Sequence, residues 1–440
     1  MNRFNGINVL VCGMARSGQA AALLLSQLGA NVTVQDMKTV LDWDFAVHGM
    51  QSYLGKNPDA IVGAFDLIII SPGISIYASF VEKARKLDIP VWGEAELAYS
   101  ICPCPMVAIT GTNGKTTVTT LVGEILKLYN PGTVIAGNIG VPLTSLVTEL
   151  KAEDIVVAEI SSFQLETIEA FRPKISAVLN MTEDHLDRHK TMENYIAMKS
   201  RIFENQRQDD YTVLNYDNDI TLGMRPPGQV LYFSATKVLD KGVYIRDGMI
   251  CAKLDETQAL EILNISETRV MPENALAATA LSLLAGAPKA LIAQVLKTFK
   301  GVTHRLEHIA TIHGVDYYND SKATNTDAAI KALTSFSAPV ILIGGGYDKQ
   351  TDFTPWVKHF NEKVSTLILI GQTADQIIDT CNQQGFTAYR KAESLQEAVD
   401  IAKSVAKSGQ NVVFSPACAS FDMFKNFEER GDLFTKYVKE

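Results

Sequence analysis

Three times along this chain a short apolar run breaks at glycine or at a small polar cluster and then opens into a helical pattern. That recurrence constrains the fold more than any other feature. It starts with "INVLVCG", continues through the helical "QAAALLLSQLGA" with its glycine stop, and reaches "NVTVQD", a second apolar run closed by an acid. Strand, helix and strand in that order make a parallel βαβ unit. "FDLIIISPG" and "IPVWGEAELAY" continue the alternation up to Cys102–Pro105, a Cys/Pro stretch suited to a linker. The pattern restarts at "PMVAIT", with "TTVTTLVGEILKLY" as its helix and "DIVVAEISS" and "KISAVLNMT" as further buried strands. Short strands follow from Tyr211 to about Glu267, and then the helix "ENALAATALSLLAGA". After "TFKGVTHRLEHI" it restarts once more with "VDYYND", "APVILIGGG", "STLILIG" and "NVVFSPA". The expected fold class is α/β, as three consecutive Rossmann-like or P-loop-type domains with mainly parallel sheets, over 1–104, 105–300 and 301–440. A chain of 440 residues is too long for one ordinary core and suits two or three domains of roughly 100 to 200 residues each.

Charge narrows the partners. The formal net charge is −9 and no long Lys/Arg run occurs, so a broad surface for nucleic acid or anionic membrane is not expected, and any phosphate site must be local. No apolar run approaches the roughly 18 to 20 residues that span a bilayer, and the first residues do not read as a leader. The six cysteines, Cys12, Cys102, Cys104, Cys251, Cys381 and Cys418, form neither a disulfide-like nor a zinc-like framework, which suits a reducing cytosol. Cys102-Pro103-Cys104 reads as loop before it reads as metal site. The expectation is a cytoplasmic, globular protein.

In open parallel sheets ligands bind beyond the carboxyl ends of the strands. "AITGTNGKTT", Ala108–Thr117, stands at such an end, yet misses the usual phosphate-loop pattern because Ile109 occupies the position of its first glycine. The remainder still provides Gly111 and Gly114 for close backbone approach and a helix whose free N–H groups face an anion. Lys115 would meet phosphates, and Thr116 could hold magnesium. Glu159, ending the next apolar strand, is either a solvated strand terminus or the magnesium-binding acid expected opposite such a loop. His185, within "TEDHLDRH", reads equally as a loop histidine, a metal ligand or a group handling an amine. Lys199 lies on one helical face with Tyr195, Ile196, Ile202 and Phe203, so it either snorkels to water or is a buried, functional lysine.

The last segment repeats the arrangement: "NDSKATN", "GGGYDK" and "SPACASFDMF" each follow an apolar run, and Lys322 and Lys349 could neutralise anions there. The first segment admits a rival. "GMARSG" with Asp36 approximates a dinucleotide fingerprint, which would mean hydride chemistry. Ala15, however, replaces the second glycine, and a dehydrogenase would leave Gly111–Thr117 unexplained.

"TGTNGKTT", "EISSFQL", "NMTEDHLDRH", "YIAMKSR", "ENALAA", "THRLE" and "NDSKATN" run in order over all three segments. By these the chain resembles the Mur ligase family, ATP-dependent amide-forming enzymes of peptidoglycan synthesis. "NDSKATN" and "SPACASFDMFKNFEERG" resemble the member that adds D-glutamate to UDP-N-acetylmuramoyl-L-alanine. The diaminopimelate and lysine adders differ in the last domain, the L-alanine adder usually has His in place of Asn113, and folylpolyglutamate synthases lack this C-terminal pattern.

The resemblance implies an ATP site of Gly111, Thr112, Asn113, Gly114, Lys115, Thr116, Thr117, Asn274, Arg305 and Asp320. It implies two magnesium ions, held by Thr116, Glu159, His185 and a Lys199 carbamylated by CO₂, with Lys115, His185 and Lys199 as the catalytic set. Arg16, Ser17, Asp36, Gly73, Asn138 and Gln164 would hold the UDP-sugar substrate, which places UDP and not NAD in the first domain. Lys322, Thr324, Lys349, Ser420 and Phe427 would hold D-glutamate. The implied mechanism is an acyl phosphate on the alanyl carboxylate, attacked by the amine of D-glutamate, in a monomer whose domains close about the two linkers around ATP.

Overall fold

The computed structural model describes residues 3–255, 258–348 and 351–440, apart from the side chain of Asp187. Among the described residues twenty strands form three sheets. The first contains β1 (Asn8–Cys12), β2 (Asn31–Asp36), β3 (Gln51–Leu54), β4 (Leu67–Ile70) and β5 (Val91–Gly93). Its order is β3-β2-β1-β4-β5, with every neighbour parallel. The order reverses direction between β1 and β4, which makes a crevice at their carboxyl ends.

The second sheet has nine strands: β6 (Met106–Thr110), β7 (Thr133–Gly137), β8 (Ile155–Glu159), β9 (Ile175–Val178), β10 (Tyr211–Asn215), β11 (Gln229–Ser234), β12 (Gly242–Arg246), β13 (Met249–Lys253) and β14 (Leu260–Asn264). The order is β14-β13-β12-β11-β10-β9-β6-β8-β7. Pairing is parallel from β7 to β12 and antiparallel for the β12-β13-β14 tail. All five residues of β6 and of β8 are buried, which explains why both read as unbroken apolar runs.

The third sheet contains β15 (Glu307–Ile312), β16 (Val315–Asn319), β17 (Val340–Gly344), β18 (Val364–Leu369), β19 (Tyr389–Lys391) and β20 (Asn411–Phe414). Its order is β15-β16-β20-β17-β18-β19, parallel except for the β15-β16 edge hairpin. The α/β class is as the alternation of strands and helices predicts.

The chain divides into two compact units, 1–181 with 191–299, and 182–190 with 300–440. In the first unit the first two sheets share one apolar core, which runs from Val9, Val11 and Leu25 to Met106, Ala158 and Tyr195. Two buried acids on the helix Glu94–Tyr99 fasten that junction. Glu96 accepts backbone N–H groups of Glu169, Ala170 and Phe171 at 2.8 to 2.9 Å. Glu94 accepts the N–H and hydroxyl of Thr144, at 2.7 and 3.0 Å. Burial pushes the Glu94 carboxyl above its usual range, and the Thr144 hydrogen bonds pull it back in part.

The nine residues 182–190 belong with the second unit for a specific reason. Asn325 caps the helix Thr326–Thr334 by accepting the Ala328 N–H at 2.8 Å, and its amide donates to Asp184 at 3.1 Å. The Thr182 hydroxyl donates to Asp327 at 3.3 Å.

Candidate active site

In the first unit the site is built on the ends of β6 and its neighbours. β6 pairs with β8 and β9, Ile109 lying opposite Glu159 on one side and Ala177 on the other. The chain leaves β6 at Thr110 and enters the helix Lys115–Tyr129 after only four residues. Ile109 is a fully buried strand residue, so the phosphate-type loop begins later, at Gly111. Gly114 has φ +84°, and a Cβ there would collide with the side-chain oxygen of Asn274. Only glycine combines that φ with that closeness. Gly114→Ala is therefore expected to weaken ATP binding at least about tenfold through strain and displacement of Asn274. Calorimetric titration with an ATP analogue checks it.

The loop is braced from β9. Asn180 receives the Asn113 N–H on Oδ1 at 2.9 Å and returns its amide to the Asn113 carbonyl at 3.0 Å. Its own carbonyl accepts the Thr112 N–H at 3.0 Å. The Lys115 ammonium lies over the loop, donating to the carbonyls of Gly111 and Thr112 at 2.9 and 2.8 Å. Thr116 and Thr117 are buried on the first turn of the helix. A compact set of backbone groups with one mobile cation at a helix N-terminus is suited to phosphate.

Lys199 does not snorkel. It is 2% exposed. Its ammonium donates to the Gly111 carbonyl at 2.9 Å and to the Thr110 hydroxyl at 3.3 Å, and lies 5.0 Å from the centre of the Tyr195 ring. The Tyr195 hydroxyl in turn contacts the Thr112 hydroxyl at 3.2 Å. The lysine of the apolar stripe thus ends directly beneath the loop.

Glu159 is 1% exposed. Asn138 donates its side-chain amide to Oε1 at 2.7 Å and its backbone N–H to the Glu159 carbonyl at 2.8 Å. Oε2 is buried without a hydrogen-bond partner among the described residues. A buried carboxylate oxygen left unsatisfied costs free energy unless something binds it. Beside a phosphate loop, that donor type fits a magnesium ion. Gln164 completes a capping box with the N-cap Ser161, its Oε1 accepting the N–H and hydroxyl of Ser161 at 2.9 and 3.0 Å.

At the crevice of the first sheet, Asp36 accepts the N–H of Met14 at 2.8 Å and of Lys38 at 3.0 Å. It thereby shapes the turn that delivers Arg16 and Ser17 to the start of the helix Arg16–Gln27. Gly18 is required there, since a Cβ would overlap the Gly13 carbonyl. At Gly73 a Cβ would meet nothing within 4 Å, so the backbone borders open space.

The second unit gathers the rest. Arg305 is flanked by His304 and Leu306 in left-handed conformations, φ +63° and +43°, and its Nε is buried without a hydrogen-bond partner among the described residues. Strain of this kind persists where surrounding structure enforces it, often at functional sites. Asp320 is buried and accepts the Ser415 hydroxyl at 2.8 Å and the Leu306 N–H at 3.2 Å. Burial pushes its carboxyl up to about 6, against the opposing pull of Arg305, Ser415, Leu306 and Arg430. Between about pH 4 and 6 the folded state keeps a proton that the unfolded state has lost, so this group stabilises the fold less as pH rises through that window. Asp320→Asn cannot titrate. Relative to the parent its stability should rise across the same window by roughly 2–3 kcal/mol and then level off, as followed by thermal melts at stepped pH.

Lys322 lies 5.0 Å from the centre of the Phe427 ring. The Ser321 hydroxyl donates to the Phe427 carbonyl at 2.8 Å. Thr324 follows in the same turn, its N–H donating to the Lys322 carbonyl at 3.0 Å. Ser420 is buried, its carbonyl accepting N–H groups of Met423 and Phe424. Arg430, absent from the sequence-based set, joins these segments. Its wholly buried guanidinium donates to the Ser321 hydroxyl and carbonyl at 3.0 and 2.7 Å and to the Ala419 carbonyl at 3.0 Å. Its position on the buried face with Phe434 and Val438 was the available signal, the same one that Lys199 gave.

His185 belongs to this second unit, in the left-handed region at φ +54°, with Nε2 3.6 Å from Asp184. Lys115, Thr116, Glu159 and Lys199 belong to the first. Lys349 lies outside the described residues.

Residues 109–281 match the Mur ligase middle domain, and residues 304–418 match the Mur ligase glutamate ligase domain. A UDP-N-acetylmuramoylalanine--D-glutamate ligase of Caldanaerobacter subterraneus subsp. tengcongensis is 45% identical over 441 residues, covering 98% of each chain. The chain belongs to the Mur ligase family. A ligase of the same name from a Thermoanaerobacter species is 47% identical over 451 residues, 99% of this chain and 98% of its own. Solved Mur ligases share the fold at low identity. MurC of Thermotoga maritima, a UDP-N-acetylmuramate-alanine ligase, superposes with a TM-score of 0.61 at 17% identity, covering 98% of this chain and 99% of that one. MurF of the same organism, solved in complex with ADP, gives 0.60 at 16%, covering 99% and 95%. The Gly111 loop lies inside the stretch that matches the Mur ligase middle domain, and membership of this family leaves the fingerprint-like turn at Gly13 without a dehydrogenase implication.

Proposed function

We infer that this Mur ligase joins D-glutamate to UDP-N-acetylmuramoyl-L-alanine, with ATP giving ADP and phosphate, as a step of peptidoglycan precursor synthesis. The observation that carries this is the near-complete match to D-glutamate ligases at 45 to 47% identity, which spans all three sheets and the Lys322–Phe427 cluster. A carboxylate and an ammonium do not condense in water, so the alanyl carboxylate must be activated as an acyl phosphate, which the neutral amine of D-glutamate attacks. Charge builds first on phosphoryl oxygens and then on an oxyanion. Lys115 and the loop N–H groups would neutralise the transferring phosphoryl group, while Asn274, Arg305 and Asp320 hold the rest of ATP. Lys322, Thr324, Ser420 and Phe427, with Lys349, would hold D-glutamate, and Arg16, Ser17, Asp36, Gly73, Asn138 and Gln164 the UDP-sugar. A heavy-oxygen label in the alanyl carboxylate should appear in the released phosphate. Label retained wholly in the amide product or in water would exclude the acyl phosphate.

Thr116 and Glu159 are proposed to hold one magnesium ion, His185 to be a ligand of a second, and Lys199 to be carbamylated by CO₂. Bound magnesium supplies charge neutralisation of phosphate and oxyanion oxygens. The unsatisfied Glu159 oxygen supports the first site. Glu159→Gln keeps the shape and the Asn138 contact but loses the charge. It is expected to raise the magnesium concentration for half-maximal activity at least about tenfold, which a magnesium titration of turnover checks. CO₂ addition at Lys199 would replace its ammonium with an anionic group that has two oxygens.

The three sheets support a division into domains at 1–104, 105–300 and 301–440. The six free cysteines support a reducing compartment, the cytoplasm, where the enzyme is proposed to act as a monomer. Among the described residues no helix is long and apolar enough to cross a membrane.

A further inference from the structure

Cys102 and Cys104 flank Pro103 in the linker from the first sheet to the second. Their Sγ atoms are 3.6 Å apart. The other four cysteines are buried, and these two are not. Both line a cavity of about 610 Å³ that is walled by Arg3, Trp92, Tyr99 and Arg172. Pro105, Lys174 and Asp210 also line it, and each stands just before a strand, so the cavity opens at the amino-terminal edge of the second sheet. One five-residue strand, β6, separates that edge from Gly111, a span of roughly 16 Å. None of the residues assigned to the ligase reaction lines it.

At that spacing the two thiols are in hydrogen-bonding contact, and Cys102 Sγ also lies 3.6 Å from the Cys104 carbonyl. A disulfide has its sulfurs at about 2.05 Å, so the pair would have to close by about 1.5 Å. Two thiolates on one tetrahedral ion, each bonded at about 2.3 Å, lie roughly 3.7 Å apart. The observed spacing already meets the second requirement. We propose that Cys102 and Cys104 are a two-thiolate binding site for a thiophilic divalent cation of the Zn²⁺ and Cd²⁺ class, with water from the cavity completing its coordination. Binding replaces two S–H bonds by two metal–sulfur bonds and releases two protons to solvent, and no electron is transferred. Mg²⁺ prefers oxygen ligands and does not compete.

The site rests on linker geometry and is independent of the ligase reading. The test uses the full-length, reduced protein titrated with Cd²⁺ in excess Mg²⁺, followed by the ultraviolet charge-transfer absorption of cadmium thiolates. The parent should bind one Cd²⁺ with a saturating band. Cys102→Ser and Cys104→Ser should each bind at least about tenfold more weakly, and the double variant should show no band. All three variants lie outside the reaction machinery and should keep normal circular dichroism and turnover. An undiminished band in the double variant overturns the proposal, as does the absence of a saturable band in the parent. A third contrary result is loss of both reactive thiols on mild peroxide treatment, reversed by dithiothreitol, in a protein that does not bind Cd²⁺. That would make the pair a redox couple.

Discussion

Lys115→Ala is expected to fold normally and to lose on the order of 10² to 10³ in turnover, the usual cost of one electrostatic contact to a developing charge. The structure explains why the loss should spare stability. The Lys115 ammonium donates to two loop carbonyls and is only half-buried, while the loop is held independently by the Asn113–Asn180 pair and by the helix it starts. Removing the cation therefore leaves the cradle standing without its charge. Lys115→Arg should recover little, because a planar guanidinium is larger and presents its donors in a different geometry. Steady-state turnover with thermal melts on the same samples checks both parts. Near-normal turnover in the alanine variant would remove the loop from the reaction.

The second large effect is at Lys199. Lys199→Ala is expected to lose on the order of 10² to 10³ in activity, and small carboxylic acids should restore part of it by entering the space and supplying the missing anionic oxygens. A purely structural lysine predicts a different pattern. Truncation beneath Thr110 and Gly111 would then lower the melting temperature, and acids would not restore turnover. Lys199→Met, which fills the volume without a nitrogen, separates the two. It should keep most of the stability and remain inactive with or without added acid. Mass spectrometry under mild conditions, with and without CO₂, looks for the carbamate directly.

Much of the fold could be read from the sequence because buried parallel strands leave an unmistakable local mark. β6 and β8 are unbroken apolar runs that end in polar residues, and those ends are where the site is assembled. Lys199 and Arg430 show that a charged residue on an apolar helical face also carries information, since both end fully buried against the loops at Gly111 and Ser321. The grouping of 182–190 with the second unit was not legible, because the Asn325–Asp184 and Thr182–Asp327 bonds join positions more than 140 residues apart. Nor was the bracing of Asn113 by Asn180, which depends on β9 lying beside β6. Asn274 entered the ATP set only through the family resemblance, and its position against Gly114 arises from helix packing.

The central claim is the identity of the amino acid that is joined. Phosphate release should be measured with ATP, UDP-N-acetylmuramoyl-L-alanine and a panel containing D-glutamate, L-glutamate, L-alanine, L-lysine and meso-diaminopimelate. Release that depends on D-glutamate and on the UDP-sugar together is the predicted result. Equal release with another amino acid, or NAD reduction without any phosphate release, would contradict the account.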